Sequence, residues 1–143
     1  MHKKFLLASH GLLAKGLQSS LDILTGKGQE VMTINAYVTE EDYTPQITAF
    51  IDSVGEEEQG IIFTDLYGGS VNQRVVAEIL AAKKKNLFVI ANANLGVVLS
   101  LLLSAEEVWT EAYLQEVMQT AALTLVPLTL PSGNAAEELD SFF

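Results

Sequence analysis

Short apolar runs alternate with segments of helical periodicity along almost the whole chain, and this alternation constrains the fold more than any other feature of the sequence. Strands that are apolar on both faces need cover on both faces, which is typical of parallel sheets joined by right-handed helical crossovers. We therefore expect an α/β fold: a doubly wound, mainly parallel sheet of strand order 2-1-3-4 with helices on both faces. The four strands are predicted at residues 5–8, 31–37, 60–65 and 86–91.

Helical signals fill the intervals between the strands. Leucines at helical spacing predict the first helix: Leu13, Leu17, Leu21 and Leu24. Thr44 resembles an N-cap and Pro45 a first helical residue, and Ser70 is expected to cap the third helix. A fourth helical stretch starts near Asn94, and residues 104–107 are typical of a capping box that opens a fifth helix.

The last apolar run, residues 124–130, is strand-like but contains Pro127, which confines it to an edge or a bulge. A sheet that ended at its fourth strand would leave an unpaired apolar edge, which soluble proteins avoid. We therefore expect a homodimer in which this run is exchanged and pairs with the partner's sheet. The apolar residues 95–103 and Trp109 are expected to help fill the dimer interface.

Composition excludes several kinds of site. The 143 residues carry a formal net charge of −10, which opposes nucleic-acid binding because phosphate backbones are held by clustered Lys and Arg. The chain has no cysteine and two histidines, so we expect no disulfide, no metal site and no cofactor.

No run approaches the roughly 18 apolar residues of a membrane span, and a cytoplasmic protein is expected. One domain is predicted over residues 1–130, followed by an acidic tail over residues 131–143.

Two strand ends place reactive side chains at one edge of the predicted sheet. Strands 1 and 3 are neighbours in the expected order, and a crevice opens between them because their helices leave on opposite faces. His10 follows strand 1 and Asp65 ends strand 3, so we expect the two side chains to face each other. A nucleophilic imidazole needs one free nitrogen while an acceptor holds the other as N–H, and Asp65 is placed for that. The alternative is that Asp65 only caps the following turn.

A glycine pair before the third helix supplies candidate donors for an anion. At Gly68, Gly69 and Ser70, backbone N–H groups can approach an anion closely, and the N-terminus of the following helix adds partial positive charge. A phosphoryl group fits such a position. The alternative is a tight turn that binds nothing.

Two motifs stand out when the strand ends are considered together. They are LASHG at residues 7–11, followed by AKGL at 14–17, and FTDLYGGS at 63–70, followed by Asn72. Together they resemble enzyme IIA of the mannose family in the phosphoenolpyruvate-dependent sugar phosphotransferase system. The family commonly has a proline where Val71 stands in this chain.

The resemblance implies a phosphoryl relay between histidines. By similarity, His10 accepts the group from the phosphorylated histidine phosphocarrier protein and passes it to enzyme IIB during sugar uptake, so that membrane sugar-transport subunits are partners only indirectly. It also implies that Asp65 holds the imidazole, that Ser70 contacts the phosphoryl group, and that the dimer exchanges a strand. Two alternatives are a related phosphohistidine subunit for dihydroxyacetone phosphorylation, and a non-catalytic anion-binding module in which His10 is never modified.

Overall fold

A four-stranded parallel sheet forms the middle layer of the protein, whose computed structural model describes residues 1–129. Its strands lie in the order β2-β1-β3-β4, so the predicted order is confirmed. The residues of each strand are β1 His2–His10, β2 Val31–Ala36, β3 Glu58–Thr64 and β4 Leu87–Ile90. All three strand pairings are parallel, which brings the carboxyl ends of the strands to one edge of the sheet.

Within residues 1–129, five helices cover the two faces of this sheet. They are α1 Leu13–Thr25, α2 Thr44–Ser53, α3 Ser70–Ala82, α4 Leu95–Leu102 and α5 Glu111–Thr120, and a single 3-10 turn spans Gly28–Glu30. Helices α1, α4 and α5 pack in one core layer, whereas α2 and α3 pack in the other. The doubly wound architecture is therefore confirmed.

Strand β1 shows why both faces are covered. Successive side chains of a strand point to opposite faces, so Phe5 and Leu7 enter the layer of α1 while Leu6 and Ala8 enter the layer of α2. All four are buried. Burial of a large apolar side chain stabilises a fold by roughly 1.5–3 kcal/mol, so an apolar run of this kind favours a central strand.

The fifth helix begins later than the capping-box pattern predicts. It starts at Glu111, and its N-cap is Thr110, whose hydroxyl accepts from the backbone N–H of Tyr113 at 3.2 Å. Two bonds from Gln59 of β3 explain the delay: its side chain accepts from the Trp109 backbone N–H at 2.8 Å and donates to the Trp109 carbonyl at 2.9 Å. Since both backbone groups of Trp109 are tied to the sheet, the prediction that residues 104–107 open a helix is wrong.

Other element ends differ from the sequence patterns by one residue. Ser70 is the first residue of α3 rather than its cap; Gly69 takes the N-cap position, and no side chain caps the helix. Likewise, α2 has Tyr43 at its N-cap position, with Thr44 as its first residue. Strand β2 ends at Ala36 because Tyr37 adopts a positive φ of 68°, which an extended strand does not allow.

The C-terminal run does not form a strand in the described part of the chain. Residues 124–129 are irregular, and Leu125 and Leu128 are 97% and 95% exposed. Strand exchange in a homodimer stays a prediction, as does the domain boundary at residue 130, and residues 130–143 lie outside the described residues. Trp109, expected at the dimer interface, is buried in its own chain with its ring edge-on to Phe5 at 5.7 Å. Within residues 1–129, no helix has the length and apolarity to cross a membrane.

Candidate functional site

The carboxyl ends of β1 and β3 bring His10 and Asp65 into direct contact. His10 is the last residue of β1, and Asp65 follows β3, the neighbouring strand. His10 Nδ1 lies 2.7 Å from Asp65 Oδ2, and the backbone N–H of His10 donates to the same oxygen at 2.7 Å. One carboxylate oxygen therefore fixes both the main chain and the ring of His10.

This contact decides which nitrogen of His10 is available for chemistry. An ionised carboxylate only accepts hydrogen bonds, so Nδ1 carries the proton of the neutral imidazole and Nε2 keeps its lone pair. Nε2 lies 3.2 Å from Ser70 Oγ, whose hydroxyl donates to it. The His10 side chain is 43% exposed, so a partner molecule can reach Nε2.

Asp65 is held in the ionised state in spite of its burial. Its side chain is 10% exposed, and burial alone would raise the pKa of the carboxyl. Hydrogen bonds from the backbone and ring N–H groups of His10, with the backbone N–H of Leu66, outweigh burial and lower the pKa of Asp65.

The glycine turn after Asp65 is shaped by hydrogen bonds that use both glycine N–H groups. Gly68, with φ 76°, donates to Asn72 Oδ1 at 3.1 Å, and Gly69 donates to the Leu66 carbonyl at 2.9 Å. Asn72 is buried and also donates to Thr64 Oγ1 at 2.8 Å, which fixes the turn to the end of β3. The two glycines therefore set the path of the backbone and leave no free N–H for an anion.

Donors for an anion lie one step further along, in the first turn of α3. The first N–H of this helix to bond a backbone carbonyl is that of Gln73, which donates to Gly69 at 2.9 Å. The N–H groups of Ser70, Val71 and Asn72 have no acceptor within the described part of the chain. Such unpaired N–H groups and the helix dipole make a helix N-terminus favourable for a negative group.

Tyr37 also lies at the site, directly after β2, and was not predicted from the sequence. It follows β2, and its ring centroid lies 5.1 Å from that of His10. Its hydroxyl lies 2.8 Å from Ser70 Oγ and 3.4 Å from the hydroxyl of Tyr43. The order 2-1-3-4 places the end of strand 2 beside that of strand 1. An aromatic residue at the end of strand 2 was therefore the sequence feature that could have predicted a contact with His10.

The two tyrosines differ in their acidity. Burial, together with the bond to Tyr37, raises the pKa of Tyr43 to about 12, so Tyr43 keeps its proton and donates. Hydrogen bonding with Ser70 first, and then with Tyr43, lowers the pKa of Tyr37. With both tyrosines protonated, the hydrogen bonds run in one direction, from Tyr43 through Tyr37 and Ser70 to His10 Nε2.

The remaining site loop is anchored from β4. Asn92, with φ 52°, donates its backbone N–H to the Asp65 carbonyl at 2.5 Å and accepts from the Tyr67 N–H at 2.9 Å. Within residues 1–129, no three His, Cys, Asp or Glu side chains are grouped as a metal ion requires.

Comparisons with known proteins find similar chains. Residues 4–118 match the model of the family described as phosphotransferase system (PTS) fructose IIA component. A solved structure from Klebsiella pneumoniae, described as a phosphoenolpyruvate-dependent sugar PTS permease, is 33% identical, with 85% of this chain and 87% of that chain covered and a TM-score of 0.74. No curated protein matches the chain.

Two more distant structures share the fold. The mannose/sorbose specific IIA subunit from Enterococcus faecalis is 24% identical over 92% of this chain and 100% of its own, with a TM-score of 0.69. The PTS IIA protein associated with the fucose utilization operon of Streptococcus pneumoniae is 19% identical over 87% and 93%, with a TM-score of 0.71. At these identities the likeness concerns the fold alone.

Proposed function

Because this chain belongs to the family of PTS fructose IIA components, we propose that it is a phosphohistidine carrier in sugar uptake. In this proposal His10 accepts a phosphoryl group from the histidine phosphocarrier protein and passes it to enzyme IIB. The observation that carries the proposal is the lone pair on His10 Nε2, which lies beside Ser70 at the N-terminus of α3. The cytoplasmic location expected from the sequence stays a prediction.

The proposed step is an in-line displacement at phosphorus. The lone pair of Nε2 forms the new N–P bond, while the N–P bond of the donor phosphohistidine breaks and its electron pair returns to the donor nitrogen. Nδ1 of His10 keeps its proton throughout and donates it to Asp65. Transfer to enzyme IIB is the same step in reverse, with His10 as the leaving group, so the exchange is close to thermoneutral.

Asp65 has two tasks in this step. It fixes the tautomer that leaves Nε2 free, and its negative charge stabilises the positive charge that develops on the imidazole as the N–P bond forms. Its lowered pKa keeps it ionised at neutral pH.

The first turn of α3 suits the negative charge of the phosphoryl group. A phosphoryl-transfer transition state spreads its charge over three equatorial oxygens and needs alignment and donors more than covalent help. The Ser70 hydroxyl and the N–H groups of Ser70, Val71 and Asn72 are such donors. In our proposal these N–H groups bind the phosphoryl group in place of those of Gly68 and Gly69, which the sequence had suggested. The two glycines shape the turn instead.

The two alternatives from the sequence find no separate support at this site. A module that only binds anions would need the donors of α3, but not an imidazole whose proton is held on the far nitrogen by a buried carboxylate. A subunit for dihydroxyacetone phosphorylation would share the phosphohistidine step and differ in its acceptor. Transfer from the phosphorylated protein to enzyme IIB or to the dihydroxyacetone kinase subunit separates these two.

The direct test is incubation with phosphoenolpyruvate, enzyme I and the histidine phosphocarrier protein. We expect one acid-labile, alkali-stable phosphoryl group per chain. His10→Ala should abolish it, and His2→Ala, at the exposed start of β1, is the matched control that should retain it. Labelling of Ser70, or no labelling of the wild-type protein, would contradict the proposal.

A further inference from the structure

Tyr37 has a backbone conformation that its own residue type disfavours. Its φ of 68° lies in the left-handed region, where a bulky side chain without glycine's freedom is a true outlier. Such residues persist where surrounding contacts hold them, and they cluster at functional sites. The contacts of the Tyr37 side chain should therefore explain why this backbone conformation is kept.

Burial does not account for this conformation. Tyr37 is 58% exposed, and it is absent from both core layers. Its specific contacts are the hydroxyl bond to Ser70 Oγ at 2.8 Å and the tilted ring contact with His10 at 5.1 Å. Tyr43 lies edge-on to the Tyr37 ring at 5.6 Å. The side chain is thus held over the imidazole without being part of the core.

The hydroxyl of Ser70 needs such a contact to point in one direction. A serine hydroxyl has a single proton, and it rotates to suit its neighbours. When Tyr37 donates to Ser70 Oγ, the serine proton is left to donate to His10 Nε2, which is an acceptor because Asp65 holds the ring proton on Nδ1. A fully reversed chain of bonds would need a proton on Nε2, which this tautomer does not have.

We propose that Tyr37 is a positioning residue, whose hydroxyl directs the Ser70 proton onto His10 Nε2. This inference rests on the proposed phosphoryl transfer to that atom. The Ser70 proton is oriented before the phosphoryl group arrives, at the place where the phosphoryl oxygens come to lie. As the Nε2 lone pair forms the N–P bond, the serine proton turns from Nε2 to an adjacent phosphoryl oxygen. A donor already held beside that atom needs little reorganisation in the transition state, which is where fixed dipoles lower a barrier.

The test compares Tyr37→Phe with the wild-type protein in phosphoryl transfer from the phosphocarrier. Phenylalanine keeps the ring over His10 and removes the hydroxyl alone. We expect kcat to fall about 3- to 10-fold, the effect of one neutral hydrogen bond, with KM for the phosphocarrier unchanged. The ¹⁵N resonance of His10 Nε2 should also move downfield, because the bond that it accepts is weakened. Tyr113→Phe is the matched control: it removes a tyrosine hydroxyl in α5, which bonds Ser104 at 2.5 Å outside the site.

A second pair of variants separates positioning from a structural role. Tyr37→Gly and Tyr37→Ala both remove the side chain, but glycine alone relaxes at a φ of 68°. We expect Tyr37→Gly to melt no lower than the wild-type protein and above Tyr37→Ala, while both lose transfer rate at least as much as Tyr37→Phe.

The outcomes distinguish this inference from the proposed function. A wild-type protein that is not phosphorylated contradicts the proposed function. A wild-type protein that is phosphorylated, with Tyr37→Phe unchanged in kcat and in the Nε2 resonance, contradicts the role of Tyr37 alone. A Tyr37→Gly variant that melts well below the wild-type protein would show that Tyr37 serves the fold instead.

Discussion

His10 and Asp65 are joined twice through one oxygen: both the ring Nδ1 and the backbone N–H of His10 lie 2.7 Å from Asp65 Oδ2. The carboxylate thus fixes the end of β1 as well as the orientation of the imidazole. An acceptor shared in this way can be replaced by a neutral oxygen without loss of geometry. Charge and orientation at this site are therefore open to separate tests.

Asp65→Asn should separate them. An amide oxygen can still accept both His10 bonds, so we expect the fold and the tautomer to persist while the stabilising charge is lost. Transfer should slow about 100-fold, less than the roughly 10⁴-fold loss seen when the serine-protease triad acquires the wrong tautomer. Stopped-flow transfer rates, with circular dichroism as the check on folding, measure this. A wild-type rate would mean that Asp65 only caps its turn.

Acid should weaken the folded state through the same carboxylate. The pKa of Asp65 is lowered from its usual 3.8, so its contribution to stability is present above that value and is lost as pH falls through the lower pKa of the folded state. The difference in unfolding free energy between the wild-type protein and Asp65→Asn should therefore shrink below about pH 4. Urea denaturation at a series of pH values tests this. A difference that grows with acidity would contradict the direction of the pKa shift.

Ser70→Ala should slow transfer and leave stability nearly unchanged. Gly69, not Ser70, is the N-cap of α3, and no side chain caps the helix, so the alanine variant should unfold within about 0.5 kcal/mol of the wild-type protein. Loss of a capping serine would instead cost about 0.5–2 kcal/mol. We expect transfer to fall about tenfold, since the hydroxyl donates to Nε2.

Ser53→Ala is the matched control for this variant. Ser53 donates to the Phe50 carbonyl at 2.6 Å in α2, away from His10, and its loss should not change transfer. A Ser70→Ala variant with wild-type transfer would remove the hydroxyl from the proposed mechanism.

The exposed leucines of the C-terminal run test strand exchange. Leu125 and Leu128 are 97% and 95% exposed in the single chain, so aspartate at either position costs little if the protein is a monomer. If the run pairs with a partner's sheet, Leu125→Asp or Leu128→Asp should dissociate the dimer. Light scattering on the full chain and on a chain that ends at residue 122 gives the mass. A wild-type monomer, or a truncated chain that stays dimeric and equally stable, would rule out exchange.

The strand order was predictable from sequence because the apolar runs are continuous and strictly alternate with helical segments. That order also brought His10 and Asp65 to one edge, since the carboxyl ends of parallel strands meet there. Local sequence patterns could not predict contacts between distant residues. Gln59 bonds the backbone of Trp109, 50 positions away, and α5 therefore begins only at Glu111. Capping rules consider neighbouring residues alone and do not include such a bond.

The donors around His10 show the same limit. A glycine pair before a helix indicates free N–H groups, yet Asn72 and the Leu66 carbonyl already accept from Gly68 and Gly69. Tyr37 escaped prediction because its position depends on a positive φ, which tyrosine rarely adopts. The sequence therefore predicted His10 and Asp65 as the reactive groups, whereas the hydrogen-bond donors around them became apparent only in the folded structure.

The measurement closest to the central claim is the site of phosphorylation within the imidazole. ¹⁵N-labelled protein, phosphorylated through enzyme I and the phosphocarrier, should show one ³¹P-coupled ring nitrogen by NMR. We expect that nitrogen to be Nε2 of His10, with Nδ1 still protonated and bonded to Asp65. Phosphorus bound to Nδ1 of His10, to Ser70 or to no histidine would contradict the claim that Asp65 leaves Nε2 as the reactive atom.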